Sequence, residues 1–294
     1  MVFMNERFID ISVITPFYKG NSYMEQLFGC VRRNALAAPD LRIELVLVND
    51  SPDCPVCYNE SWVEGFSLQV YENTVNVGIQ QSRVNGLQAA KGMFVVFLDQ
   101  DDLLTDHALL SQFRFSEGRD VVVGNGINEN RDRNRPIFHS LAHQKQVEFS
   151  RFYLTVGSLI VSPGQCMVRK DVVPDLWKEK MIECNGSDDY FLWLLLQGNA
   201  RWAINPEVIY THVDTGENLS LNLDRMIRSS IEVLDLLKSE GYLTRKQVDI
   251  AKRRFDMRRL YEGREKWRKG MACIRYPDLF VELLIYTFIK KLCR

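Results

Sequence analysis

Three acidic residues, Asp99, Asp101 and Asp102, fall within four positions directly after an unbroken apolar run, Met93 to Leu98. Such a run, rich in Val and Phe, reads as a buried strand. Carboxylates crowded at its C-terminal end repel one another unless solvent reaches them or a cation neutralises them. Carboxylates at i and i+2, completed by phosphate oxygens, suit Mg2+ or Mn2+. The plain alternative is an acidic turn, with Asp102 or Thr105 capping the next helix. A second acidic pair, Asp188 and Asp189, opens NGSDDYFLWLLLQG, Asn185 to Gly198. Ser187 or Asp188 caps a helix with its body over Tyr190 to Gln197, and the helix dipole favours charge on both carboxylates. Asp188 suits capping and solvation, with an assisting role beside Asp189, which suits a general base. His212 follows a strand and enters the polar loop THVDTGENLS. A neutral imidazole there is a candidate third ligand beside carboxylates.

These residues need a scaffold that gathers strand ends. Ile11 to Ile14 reads as a first strand ended by Thr15 and Pro16, and Ile43 to Asp50 as a second. Leu68 to Glu72 is a shorter third. Helices are expected over Tyr23 to Ala38 and Ile79 to Lys91, the latter entered through Asn76, Val77 and Gly78. The alternation predicts a mostly parallel doubly wound sheet whose polar strand ends share one edge, the nucleotide crevice of such folds. No GxGxxG or GxxxxGK[ST] is present, so phosphate must be met otherwise, by a metal on the acidic cluster or by Arg83. Residues 125 to 150, centred on NENRDRNRP, read as an irregular surface segment. Two short apolar runs, Val156 to Val161 and Gln165 to Val168, flank Ser162, Pro163 and Gly164. WAINPEVIY reads as a strand pair split at Asn205 and Pro206. Cys54 and Cys57, in CPVC, read as incidental thiols in a Pro-containing loop, since His139 and His143 stand far from zinc-finger spacing.

The 294 residues carry a net charge of −1 that hides an asymmetry. From Asn222 onward there are 18 Lys and Arg against 10 Asp and Glu; the residues before it carry 19 against 28. An acidic body fits a cation-dependent site, and a basic tail fits an anionic surface. The N-terminus lacks a secretory pattern, no apolar run reaches about 18 residues, and the seven cysteines form no disulfide framework. A reducing cytoplasmic setting is expected. The tail reads as helices over Leu221 to Glu240, Thr244 to Lys269 and Pro277 to Leu292. Basic clusters between Lys252 and Arg259, followed by an apolar helix too short to span, suit the inner face of a membrane along 252–294. The alternative is that these helices pack on the rest of the chain or on another subunit as solvated basic faces. No nucleic-acid recognition module is seen.

In order, SVITPFYKG, LVLVNDSP, NVGIQQSRVNGLQAAKG, VVFLDQDD, SDDYFLWL and YTHVDTGENLS resemble the family 2 glycosyltransferases. The resemblance spans Ile11 to Ser220. It implies a GT-A fold, a Rossmann-like mixed α/β sheet flanked by helices, over 1–220. The nucleotide-binding half would be about 1–125, the acceptor half about 126–220, and 221–294 a helical extension. It implies Pro16 and Asp50 around the nucleotide base and Arg83 near uracil and phosphates. Asp99 and Asp101 would form the family's DxD pair, Asp99 on the ribose or a metal-bound water and Asp101 on the metal, with Asp102 assisting. Asp189 would be the base, and His212 would complete metal coordination. Asp188 departs from the Glu usual there. The absence of QxxRW argues against a processive synthase. The implied reaction is metal-dependent, inverting transfer from a nucleotide-diphosphate sugar, most simply a UDP-sugar, to a glycan or lipid-linked acceptor in envelope polysaccharide synthesis. A homo-oligomer is compatible with it. Two other classes compete: a catalytically silent scaffold, which would have lost Asp101, Asp189 or His212, and a nucleotidyltransferase, which would carry a Gly-rich basic signature near the first strand.

Overall fold

The computed structural model describes residues 8–130, 133–216, 221–261 and 266–291. It divides into two compact units, one of residues 1–137, 162–181 and 200–215, the other of 138–161, 182–199 and 216–294. Two inner segments group with the C-terminal helices.

The first unit is built on a mixed sheet. Its strands are β1 (Ile9–Phe17), β2 (Ile43–Asn49), β3 (Ser67–Glu72), β4 (Gly92–Phe97), β5 (Leu103–Leu104), β6 (Val121–Asn130), β7 (Arg133–Pro136), β8 (Cys166–Arg169) and β9 (Trp202–Val213). They run in the order β3-β2-β1-β4-β8-β6-β9-β5, with β7 paired to β6. β1 is parallel to β2 and β4, and β2 to β3; the expected alternation thus folds as expected, and the polar ends of β1, β2 and β4 share an edge. All of β2 is buried, which is why its apolar run shows no alternation. Helices α1 (Met24–Ala37), α2 (Ile79–Ala89), α3 (Ala108–Arg114) and the short α6 (Asp175–Glu179) belong to this unit. Gly86 lets α2 lie against the sheet: a Cβ there would stand 2.4 Å from Ile14 Cγ2.

Three readings are corrected. β1 continues through Thr15 and Pro16 to Phe17, Pro16 standing opposite Val48. Residues 125–150 are not irregular: β6 and β7 form a hairpin, followed by α4 (Leu141–Gln144) and α5 (Ser150–Thr155). WAINPEVIY is one strand, not two. Its register with β6 jumps from Asn205 opposite Gly124 to Val208 opposite Asn125, so Pro206 sits in a bulge where its missing N–H breaks no ladder bond.

Asp120 ties three strands together. Its carboxylate takes Arg201 Nε at 3.0 Å and Arg201 Nη2 at 2.9 Å, and Arg169 Nη1 at 2.9 Å. The Arg201 hydrogen bond is the main reason its pKa falls from 3.8 to about 2. Stability from this group is fully present above pH 3.8 and is lost as pH falls toward 2. In urea titrations, Asp120→Asn is expected to cost about 2 kcal/mol at neutral pH. The difference from wild type should shrink steadily below about pH 4.

The second unit holds α4, α5, α7 (Asp188–Leu196), α8 (Leu223–Ser239), α9 (Arg245–Tyr261), α10 (Lys266–Arg275) and α11 (Pro277–Lys291). The helix expected over Thr244 to Lys269 is seen as α9 and α10, residues 262–265 lying outside the described set. The basic run within α9 is not a plain solvated face. Arg254 is buried, gives Nη1 to the Tyr153 carbonyl at 2.6 Å and stacks on Phe255. Lys252, Arg253 and Arg259 pair with Asp235, Asp278 and Asp224.

Candidate active site

β4 ends at Phe97, and its Leu98 amide still bonds to the Ile14 carbonyl of β1. The chain then turns: the Asp102 amide returns to the Asp99 carbonyl at 3.1 Å. That turn gives each of the three carboxylates a different environment. Asp99 pairs with the buried Arg83 of α2. Asp102 is 1% exposed and acts as a hub. β5 pairs with β9 immediately after it, which brings Asp102 to the two residues that share one face of that strand, Tyr210 and His212. Asp102 accepts the Tyr210 hydroxyl, His212 Nδ1 at 3.0 Å and the Val213 amide at 3.1 Å. Burial, then the Asp102 charge, pushes the Tyr210 hydroxyl well above its usual range, so it remains a donor. The Asp102 hydrogen bond raises the His212 pKa. Neither Asp102 nor Thr105 caps α3: Thr105 Oγ1 bonds to the Val208 carbonyl, and the position before α3 is His107.

Asp101 is the member with no ion pair of its own among the described residues. Arg83 serves Asp99 and His212 serves Asp102. Burial first, then Asp102 and Asp99, raises the Asp101 pKa from 3.8 to about 6. A cation at this carboxylate would relieve both burial and repulsion. Among the described residues no group of three or more His, Cys, Asp or Glu makes a ready metal cage. The donor set instead fits the way Mg2+ and Mn2+ are commonly held, by one or two carboxylates with phosphate oxygens filling the rest. Asp102 on Nδ1 fixes the tautomer that leaves His212 Nε2 as the lone-pair nitrogen, the usual carboxylate–histidine arrangement behind a metal.

The loops around this turn are tied to it. Gln100, between Asp99 and Asp101, clamps Tyr18: its Oε1 accepts the Tyr18 amide at 3.0 Å and its Nε2 gives to the Tyr18 carbonyl at 3.2 Å. Gly20 makes room for it, since a Cβ there would meet Gln100 Oε1 at 2.2 Å. Lys19, at φ 50°, gives its amide to Ser51 Oγ beyond β2. Asp50 is buried and holds the entrance to α2, accepting the Val77 and Gly78 amides at 2.7 and 2.9 Å and Asn73 Nδ2 at 3.0 Å. Pro16 is partly buried next to this edge. CPVC is held by Asn21, which accepts the Cys57 amide and gives to the Pro55 carbonyl.

Asp188 and Asp189 belong to the other unit. α7 is preceded by Ser187, whose hydroxyl does not cap it but bonds to Ser230 of α8 at 2.9 Å. Asp188 is buried, not solvated as expected; Asp189 is half-buried, with Oδ1 accepting the Tyr190 amide at 2.7 Å. Tyr190 is anchored in turn, its hydroxyl giving to the Tyr153 carbonyl at 2.8 Å. Of the loop after His212, residues 217–220 lie outside the described set.

Sequence reasoning singled out the five carboxylates at 99, 101, 102, 188 and 189, together with His212, but missed Tyr210, Gln100 and Arg254. Tyr210 had a readable signal, since residues i and i+2 of a strand share a face.

Residues 12–177 match the family model described as Glycosyl transferase family 2. A 107-residue stretch is 32% identical to the minor teichoic acid biosynthesis protein GgaB of Bacillus subtilis, covering 35% of this chain and 12% of that protein. A 125-residue stretch is 27% identical to a poly(ribitol-phosphate) beta-glucosyltransferase of Bacillus spizizenii, covering 40% of this chain and 19% of the other. The chain thus matches well under two thirds of the length of either. Among solved structures, S. aureus TarS 1-349 in complex with UDP-GlcNAc superposes with a TM-score of 0.62 at 18% identity, over 96% of this chain and 81% of that one. The shared fold is the GT-A fold.

Proposed function

Because this chain belongs to glycosyl transferase family 2, we propose that it transfers a sugar from a UDP-sugar, with divalent-metal dependence and inversion, to a hydroxyl of a glycan or lipid-linked glycan in envelope polysaccharide assembly. The observation that carries this reading is the acidic turn after β4, where Asp101 is crowded by two carboxylates and has no ion pair among the described residues, while Asp99 and Asp102 are paired. TarS has been crystallised with UDP-GlcNAc and with UDP on the same fold, which supports a uridine donor here. The GgaB and glucosyltransferase relatives support a wall- or envelope-polymer acceptor. The cytoplasmic side, where nucleotide sugars are made, is the proposed location; no helix among the described residues is long and apolar enough to cross a membrane.

In this reading Asp101 and His212 would hold Mn2+ or Mg2+, and Asp99 would face the ribose or a water. Bound there, the ion supplies positive charge to the departing diphosphate. Arg83 steadies Asp99, and Gln100 and Asp50 hold the loops framing the base, beside Pro16. Asp189 takes the proton of the acceptor hydroxyl as its oxygen bonds to the anomeric carbon. The bond from that carbon to the diphosphate oxygen breaks in line, and the centre inverts. Asp188, buried beside Asp189 in the first turn of α7, is the assisting carboxylate.

The test is to incubate the chain with Mn2+ and a panel of UDP-sugars and follow UDP release. Slow release from one sugar, faster with acceptor, supports the reading; none with UDP-, GDP- or dTDP-sugars favours a silent scaffold. Asp102→Asn gives a second, sharper check. It keeps the shape but weakens the hold on His212, and Mn2+-dependent UDP affinity is expected to drop roughly 10- to 100-fold.

A further inference from the structure

The last two helices carry apolar side chains on the wrong side. α11 has an inner face: Leu279 and Leu283 join a core with Met257, Ala272 and Tyr276, and Tyr286 meets His143 and Phe152. Its outer face should then be polar. Instead Val281, Leu284, Ile285 and Phe288, spaced i, i+3, i+4 and i+7, are all exposed, Phe288 to 63%. α10 repeats the feature: Trp267 is 59% exposed and Ile274 80%, with Met271 exposed between them. Scattered exposed apolar residues need no explanation; helix-periodic stripes on two consecutive helices do.

The charges beside these stripes identify the occupant. The sequence of α10, KWRKGMACIR, has four basic residues and no acidic one. Arg268, Lys269, Arg275 and Lys291 are exposed. The two acidic residues of α11 are neutralised within their own unit, Asp278 by Arg253 and Glu282 by Arg151. The outer faces therefore combine aromatic and aliphatic side chains with exposed basic ones, of which Lys269, Arg275 and Lys291 have no ion pair among the described residues. That is the composition of a helix lying in an anionic lipid interface, apolar side inserted and basic residues at the headgroups. A protein partner would more commonly ask for fewer lysines at the core of such a patch.

We propose that the outer faces of α10 and α11 form a docking surface for an anionic membrane. The basic cluster on α9 contributes little, since Lys252, Arg253 and Arg259 are committed to ion pairs and Arg254 is buried. The surface deepens the reading of a lipid-linked acceptor, and vesicle binding and UDP binding can each fail without the other.

The full chain is mixed with vesicles of phosphatidylcholine alone or with about a third phosphatidylglycerol, and bound protein is measured by sedimentation. Binding is expected to the anionic vesicles only. It should weaken as NaCl rises from about 0.1 M to about 0.5 M. The pair Ile274→Glu and Phe288→Glu should lower the partition coefficient roughly tenfold or more. Both positions are exposed, so the thermal melt should not move; Lys269→Glu gives a milder variant that leaves every apolar residue in place and should also weaken binding. Trp267→Phe should remove a lipid-induced blue shift of tryptophan emission. No binding to anionic vesicles, or binding unchanged in the Glu pair, overturns the proposal. So does a wild-type dimer in light scattering that the Glu pair dissolves while vesicles stay unbound, since the face is then a protein interface.

Discussion

Asp101→Ala is expected to lower sugar transfer by on the order of a thousandfold, the scale on which removal of one preorganised charge-stabilising group acts. The other two carboxylates cannot substitute. Asp99 is held by Arg83, and Asp102 is committed to Tyr210, His212 and the Val213 amide. Losing Asp101 should therefore remove the anchor of the cation and with it the charge that lets the diphosphate leave. The same substitution should not weaken the fold. Asp101 is raised to about pKa 6 by burial and by its two acidic neighbours, so its charge opposes folding at neutral pH. The metal-free variant, and Asp101→Asn even more cleanly, should melt at or slightly above the wild-type temperature. An inactive protein that is at least as stable is the signature of a functional carboxylate. A large fall in melting temperature would assign Asp101 a structural role.

Asp189→Asn is expected to lower turnover by roughly a hundred- to ten-thousandfold, the range typical of a lost general base, and to leave UDP affinity unchanged. Asparagine keeps an oxygen to accept the Tyr190 amide, so α7 should retain its first turn. What is lost is the ability to take a proton from the acceptor. The two variants thus separate: Asp101 governs donor binding and departure, Asp189 governs acceptor attack. Transfer rates, UDP affinity and circular dichroism on both decide it. Near-normal transfer by Asp189→Asn would remove the residue from the mechanism and turn attention to other carboxylates of its unit.

β3 is largely exposed and was read only as a shorter strand; β1, β2 and β4 were legible because each holds an apolar run that is buried almost throughout, with a polar stop where the sheet edge begins. The acidic turn was legible for the same reason. The hairpin of β6 and β7 was not: its outer half, NENRDRNRP, carries no apolar alternation to read. β9 was split in two because Pro206 breaks a strand unless it falls in a bulge, and only the pairing with β6 shows that Pro206 and Glu207 bulge out between Asn205 and Val208. Asp102 looked like a cap because local spacing cannot show that β5 pairs with β9. Only that long-range pairing turns an acidic turn residue into the seat of His212. The basic run of α9 looked solvated because charge in sequence does not reveal a buried partner. Arg254 finds the Tyr153 carbonyl 101 residues away in the chain and stacks on the ring of its neighbour Phe255.

The most direct test of the central claim is calorimetric titration of UDP, with and without Mn2+, into wild type and Asp101→Ala. The expected result is UDP binding by wild type that Mn2+ strengthens, and loss of that strengthening in Asp101→Ala. UDP binding that ignores Mn2+ and survives the substitution would contradict a metal site at the acidic turn. No UDP binding in either protein would contradict the uridine donor itself.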